Sequence, residues 1–175
     1  MNEVLSVINQ AMELEDDGRQ YYLQAVDRAQ NPLARNTFQW LAEQEQEHKQ
    51  YFMAYYQAME EEHEWPPMSQ IEVSAHDARQ EAANIFQEAI AQIEQGVPED
   101  TELSGLYSGA MELERKSIDL YRTQAEQATD HNAREFYEFL TEEERGHLNL
   151  LATTLEYLDH PESWYMAQEQ WIVEG

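Results

Sequence analysis

The sequence predicts an all-α four-helix bundle, a single domain over residues 1–175 built from two duplicated antiparallel helix hairpins and a long crossover containing a short helix. Three observations carry this. Only six glycines and five prolines occur among 175 residues, mostly at the edges of long stretches rich in the helix formers Ala, Glu, Gln, Leu and Met. Those stretches hold apolar seams at helical spacing, such as Leu41, Phe52, Tyr55 and Met59. A pattern also recurs at a fixed offset of 99 residues: Ala11-Met12-Glu13-Leu14-Glu15 returns letter for letter as Ala110-Met111-Glu112-Leu113-Glu114, Tyr22 as Tyr121, and Ala34-Arg35 as Ala133-Arg134.

The first helix is expected over about residues 3–30, stopped by Asn31-Pro32, where Asn31 caps the next helix and Pro32 takes its first position. The second runs to about residue 61, completing the first pair over 3–61. Trp65-Pro66-Pro67 rules out continuous helix and opens a crossover over about 62–100. Within it, a shorter amphipathic helix over about 76–95 is ended by Gly96-Val97-Pro98. A third long helix spans about 101–128, and Asp130, 99 residues after Asn31, caps a fourth that closes the second pair at about 158. The tail, 159–175, carries Trp164, Tyr165 and Trp171, too aromatic to float free; it is expected to pack on the bundle or on a second subunit.

Composition narrows the function. A net charge of −26 and a pI near 4.3 disfavour nucleic acid and anionic membrane surfaces, which repel such a field, and make cations the natural counter-ligands. Zero cysteines exclude disulfides, thiolate zinc, a Cys-ligated iron-sulfur cluster and a Cys nucleophile, so any metal is held by oxygen and nitrogen. The N-terminus, Met1-Asn2-Glu3-Val4-Leu5, has neither a basic nor an apolar leader region, and no run approaches a membrane span. The expected location is the cytoplasm.

The repeat also carries a ligand pattern: Glu15 with Glu45-x-x-His48, and Glu114 with Glu144-x-x-His147. Glu15 and Glu45 lie sixteen and fourteen residues either side of the Asn31 break, so at about 1.5 Å per residue both stand roughly 21 to 24 Å from the turn. Glu114 and Glu144 straddle Asp130 in the same way, which puts all four carboxylates in one layer. Leu41, Glu45, His48, Phe52, Tyr55 and Met59 follow one seam, Leu140, Glu144, His147, Leu151 and Leu158 a second, and Ile8, Glu15 and Tyr22 a third at seven-residue steps. Four buried carboxylates repel each other and lose hydration. Two divalent cations resolve the conflict, since four Glu balance two M²⁺ when both histidines are neutral. A second Glu-x-x-His, Glu60 to His63, has Asp159 and Glu162 at its image positions and reads as a solvated helix end. Tyr22 and Tyr121 are open to two readings, hydrogen-bonding to ligand carboxylates or simple core tyrosine. Glu13, Asp16, Asp17, Glu142 and Glu143 read as solvated face, and the seven methionines as core filler.

With Glu15 and Glu45-Gln46-Glu47-His48, and Glu114 and Glu144-Arg145-Gly146-His147, the chain resembles the rubrerythrin branch of the ferritin-like diiron carboxylate superfamily over about residues 3–60 and 101–158. The resemblance implies a ferritin-like fold in which Glu45 and Glu144 bridge two irons, Glu15 and Glu114 bind terminally, and His48 and His147 each complete one iron. Two features depart from the family. Its additional Glu one turn beyond the third-helix ligand is Ser117 here, with Gly18 at the equivalent place after Glu15, and there is no Cys-ligated rubredoxin domain, so the electron donor is expected to be a separate molecule.

The leading expectation is a non-haem diiron oxidoreductase of peroxidase or ferroxidase type, whose diferrous pair is oxidised by O₂ or H₂O₂. Oxygen and nitrogen donors favour iron or manganese, and zinc also suits them. The alternatives are an iron-sequestering protein without turnover and a metal-free acidic bundle acting through partner contacts. Family habit and the aromatic tail make a homodimer the expected assembly, although one chain supplies the whole ligand set.

Overall fold

A computed structural model describes residues 2–61, 63–71, 84–85 and 102–160. It contains four long helices: α1, Asn2–Arg28; α2, Pro32–Glu61; α3, Leu103–Gln127; and α4, His131–Asp159. A 3₁₀ turn, Met68–Gln70, follows the first pair, and the described residues contain no strand. The fold class is the expected all-α four-helix bundle. Each helix packs chiefly on its hairpin mate, α1 on α2 and α3 on α4, with lighter contact between α1 and α3 and between α2 and α4. Of the expected crossover helix over 76–95 only residues 84 and 85 are described, both helical; the rest of it and the tail from 161, with its three large aromatics, lie outside the described residues.

The repeated turn residues have a common physical task. Asn31 Oδ1 accepts the backbone N–H groups of Leu33 at 2.8 Å and Ala34 at 3.3 Å, and Asp130 Oδ1 accepts that of Ala133 at 3.1 Å. Both satisfy donors that the first turn of a helix leaves without partners. Arg35 donates backwards to the carbonyls of Val26 at 2.7 Å and Ala29 at 3.1 Å, and Arg134 to that of Ala128 at 2.8 Å. The Ala-Arg pair recurs because its arginine closes the open carbonyl end of the preceding helix.

The seams behave as the spacing requires. Leu41, Phe52, Tyr55 and Met59 on α2 are buried, as are Leu140 and Leu151 on α4 and Ile8 and Tyr22 on α1. At the end of α4 the seam differs: Tyr157 is fully buried and Leu158 only partly, since 3.6 residues per turn drifts off a strict seven-residue repeat. The methionines are less internal than expected. Met59 is buried, but Met12, Met68 and Met111 are only partly so, and Met53, one residue past Phe52, faces outward at 54% exposure. Glu60 and His63 are both exposed, in agreement with a solvated helix end.

Two aromatic clusters flank the mid-plane. Phe52, Tyr55, Trp65, Tyr121, Phe136 and Tyr137 fill one side, and Tyr22, Phe38 and Tyr107 the other. The loop after α2 is held to the first of these by Trp65, whose ring lies among Tyr55, Phe136 and Tyr137 and whose carbonyl accepts the Asn132 side-chain amide at 2.8 Å.

Candidate metal centre

Between the aromatic clusters the apolar core is interrupted by six ionisable groups. Glu15 from α1, Glu45 and His48 from α2, Glu114 from α3, and Glu144 and His147 from α4 are each no more than 4% exposed. They form two groups in which the donor atoms lie within 4.8 Å of one another: Glu15, Glu45, His48 and Glu144, and Glu45, Glu114, Glu144 and His147. Glu45 and Glu144 belong to both. Each group therefore has one Glu and one His of its own and shares two carboxylates with the other.

The histidines, one from each hairpin, face each other with ring centroids 5.4 Å apart and planes inclined by 16°. His147 Nδ1 lies 3.1 Å from Glu144 Oε2 and 3.8 Å from Glu114 Oε2. His48 Nδ1 lies 3.0 Å from Glu144 Oε1 and 3.6 Å from Glu15 Oε2. The 3.0 Å approach is not aligned as a hydrogen bond, and His48 Nδ1, Glu144 Oε1, Glu15 Oε2 and Glu114 Oε2 are all buried without a hydrogen-bond partner. Buried polar atoms are nearly always satisfied. Four such atoms converging on one space fit a cation as their common partner, and neutral imidazole with carboxylate is a donor set for borderline and hard metals.

Tyr22 and Tyr121 are buried core residues that also hydrogen-bond carboxylates of the cluster, with exchanged partners. Tyr22 donates its hydroxyl to Glu114 Oε1, and Tyr121 donates to Glu15 Oε1, so each holds the carboxylate of the other repeat. Seven residues, about 10.5 Å of helix, separate Tyr22 from Glu15 on α1, and the acceptor is set by how the two repeats cross. Sequence reading offered no signal for this exchange. It also missed Trp40, whose indole stands edge-on to His147 with centroids 5.4 Å apart and fixes that ring's plane. Gly18 escaped notice as a packing position: a Cβ there would lie 3.2 Å from Glu45 Cδ and Oε2.

The protonation pattern follows from burial and mutual repulsion. Burial and then the charges of Glu15 and Glu144 push the Glu45 carboxyl well above the usual range, and burial with the charge of Glu144 lifts Glu114 to about 8. Glu144 is the exception. Burial pushes it up, but the cations His48 and His147 outweigh that and hold it well below the carboxylate norm. Burial acts downward on both histidines, yet the charge of Glu144 keeps His48 well above its ordinary value, and the adjacent carboxylates of Glu114 and Glu144 lift His147 to about 9. Tyr22 and Tyr121 are held far above the phenol range by burial and adjacent carboxylates, so both remain hydrogen-bond donors. The cluster retains protons where cations would otherwise balance its charge.

Among protein families, the model of rubrerythrin matches residues 6–155, spanning both hairpins and the crossover. No curated protein and no solved structure matches the chain.

Proposed function

This chain belongs to the rubrerythrin family of diiron carboxylate proteins, and on that premise we propose that it is a non-haem diiron oxidoreductase that reacts with O₂ or H₂O₂. One observation carries the reading: two donor groups, each with a private Glu and His, share Glu45 and Glu144. Two irons held this way would use Glu45 and Glu144 as bridges, Glu15 with His48 on one side, and Glu114 with His147 on the other. Bound iron would supply the electrons that reduce dioxygen or peroxide.

The protein's own part is to position ligands and manage charge. Tyr22 and Tyr121 orient the terminal carboxylates and raise the energy of any displaced arrangement. Trp40 orients His147. Phe38, Phe52, Phe136 and Leu140, all fully buried, exclude bulk water from the layers beside the site and so strengthen every charge interaction within it. All six donors come from one chain, so metal binding requires no second subunit. Regeneration of reduced iron calls for an electron donor outside these 175 residues, since they contain no cysteine to hold a further iron centre. Manganese or zinc fits the same donor types. No described helix is long and apolar enough to cross a membrane, and cytoplasmic residence is part of the proposal.

Metal content is the test. Protein loaded anaerobically with Fe²⁺ and desalted is expected to retain two irons per chain, lost in Glu45→Ala and Glu144→Ala, and to reduce peroxide repeatedly when a reductant is supplied. Near-zero retention by the parent protein overturns the proposal. The second reading, iron sequestration without turnover, draws on the net charge of −26. It would show as many irons per chain and no catalytic peroxide consumption.

A further inference from the structure

Tyr121, whose hydroxyl engages Glu15 at the candidate centre, is also the first ring of an oxidisable series that leads outward. Its ring stacks on Tyr137 with centroids 6.4 Å apart and planes inclined by 26°, and Tyr137 meets Trp65 at 5.7 Å. Both separations fall in the range of direct ring contact. Tyr137 and Trp65 then line a surface cavity of about 470 Å³ together with Val4, Val7 and Gln124. Trp65 is 9% exposed.

Packing alone does not require this choice of rings. The image of Tyr137 in the first repeat is Phe38, which stacks on Tyr22 at 6.2 Å and fills the equivalent volume without a hydroxyl. A phenylalanine is far harder to oxidise than tyrosine or tryptophan, so the first repeat is interrupted at that position. The other ring beside Tyr22 is Tyr21, at 6.1 Å, whose hydroxyl is tied to the Leu106 carbonyl at 2.8 Å. On the Tyr121 side a parallel route through Phe52 and Phe136 likewise contains no oxidisable ring until Tyr55. Oxidisable rings also stand at Tyr21, beside Tyr22, and at Trp40, beside His147, both partly buried; the series Tyr121, Tyr137 and Trp65 is the unbroken one that runs through the core from the centre to the cavity described above.

We propose that Tyr121, Tyr137 and Trp65 are a one-electron relay by which an external one-electron reductant, reaching Trp65 at the cavity, delivers electrons to the buried centre. This rests on the diiron reading above. In each cycle Tyr121 yields one electron to the oxidised centre, its hydroxyl proton shifting along the existing bond to Glu15; Tyr137 replaces that electron, Trp65 replaces the one lost by Tyr137, and the reductant re-reduces Trp65. Each proton that leaves a ring with an electron returns when the ring is reduced. The net change is one electron lost by the reductant and one gained at the centre, with no protein bond altered.

Two measurements test it without relying on turnover. Iron-loaded protein treated with excess H₂O₂ and no reductant, so that oxidant remains after the two Fe²⁺ have each given one electron, is expected to accumulate oxidised Trp65, read by peptide mass spectrometry. That product should fall to the level of a metal-free control in Tyr137→Phe at unchanged iron content. Equal Trp65 oxidation in Tyr137→Phe, or none in the iron-loaded parent, overturns the relay. In metal-free protein, azide radicals from pulse radiolysis oxidise tryptophan. With Tyr55, the other tyrosine beside Trp65, replaced in a Tyr55→Phe background, the tryptophan-to-tyrosine transfer that disappears in Trp65→Phe should also disappear in Tyr137→Phe, and its persistence there overturns the proposal. Failure of the parent to retain iron sinks the diiron reading, while the radiolysis result still decides the relay.

Discussion

Tyr121 and Glu15 lie 106 residues apart in the chain, and the hydroxyl of one holds the carboxylate of the other inside the bundle. With the reciprocal bond from Tyr22 to Glu114, this ties α1 to α3, where helix contact is otherwise light. Removing both hydroxyls, in Tyr22→Phe with Tyr121→Phe, deprives two ligand carboxylates of their orienting donors. Groups in this position affect metal affinity by about 10–100-fold. We expect a loss of that order in Fe²⁺ affinity by chelator competition, with helical content by circular dichroism unchanged. Parental affinity in the double variant would mean that the hydroxyls do not position the ligands.

The protonation pattern gives the metal-free protein an unusual pH response. A carboxyl whose folded value is raised binds its proton more tightly when folded, so its favourable contribution is present below the unfolded value and lost as pH rises through the folded one. Glu114 loses its share between about 4.5 and about 8, and Glu45 acts in the same direction. His147, lifted from 6.5 to about 9, loses its share as pH rises through that interval. Glu144 is lowered, and its contribution fades only on acidification below 4.5. Thermal unfolding in the presence of a chelator is therefore expected to show Tm falling steadily from pH 5 to pH 9, with the fall reduced in Glu114→Gln. A flat or rising profile would contradict the burial of these charges.

Cation binding must displace the same protons, so affinity should move the opposite way. Fe²⁺ or Zn²⁺ binding is expected to release protons and to strengthen as pH rises from 6 to 8, because each proton removed from Glu45, Glu114 or a histidine frees a ligand. Calorimetry in buffers of different ionisation enthalpy measures the release directly. Binding without proton release would place the cations elsewhere on this acidic surface.

Much of this architecture was legible before any coordinates because the chain states it twice. The 99-residue offset ties Asn31 to Asp130, Glu45 to Glu144 and His48 to His147, and helical periodicity puts the Glu and His on the buried seam; geometry then does no more than close the bundle. What periodicity could not convey is contact between repeats. The exchange of Tyr22 and Tyr121 depends on how the hairpins cross, and Trp40 reaches His147 on a different hairpin. Gly18 was invisible for another reason: its role is the absence of a side chain, which shows only when Glu45 is placed beside it. The methionines misled because hydrophobicity alone sent them inward, whereas Met53 occupies the outward face of α2 one position after Phe52.

The turn residues offer a check on the repeat's structural half. Asn31 accepts two backbone donors and is fully buried, and Asp130 accepts one nearer the surface. Replacing such a cap with alanine costs about 0.5–2 kcal/mol. Asn31→Ala is expected at the upper end and Asp130→Ala at the lower, measured by urea unfolding of the metal-free protein. Equal small losses would show that Asn31 gains nothing from its second bond.

Gly18 makes stability and metal binding part company. In the second repeat its place is taken by Ser117, buried at 6% exposure, so a Cβ is accommodated at that position of the bundle. At Gly18 the added carbon would press on the Glu45 carboxylate from 3.2 Å, close enough that the carboxylate must shift by a few tenths of an ångström. That carboxylate is the end of a flexible side chain, and its displacement is cheap when no cation holds it. The helix meanwhile gains roughly 0.5–1 kcal/mol when an interior glycine becomes alanine. Gly18→Ala is therefore expected to raise the Tm of the metal-free protein while weakening Fe²⁺ binding, because Glu45 belongs to both donor groups. Ser117→Ala, which removes no backbone freedom and adds no atom against a ligand, should leave binding near parental. If Gly18→Ala bound iron as tightly as the parent protein, Glu45 could not be the shared ligand that the geometry makes it.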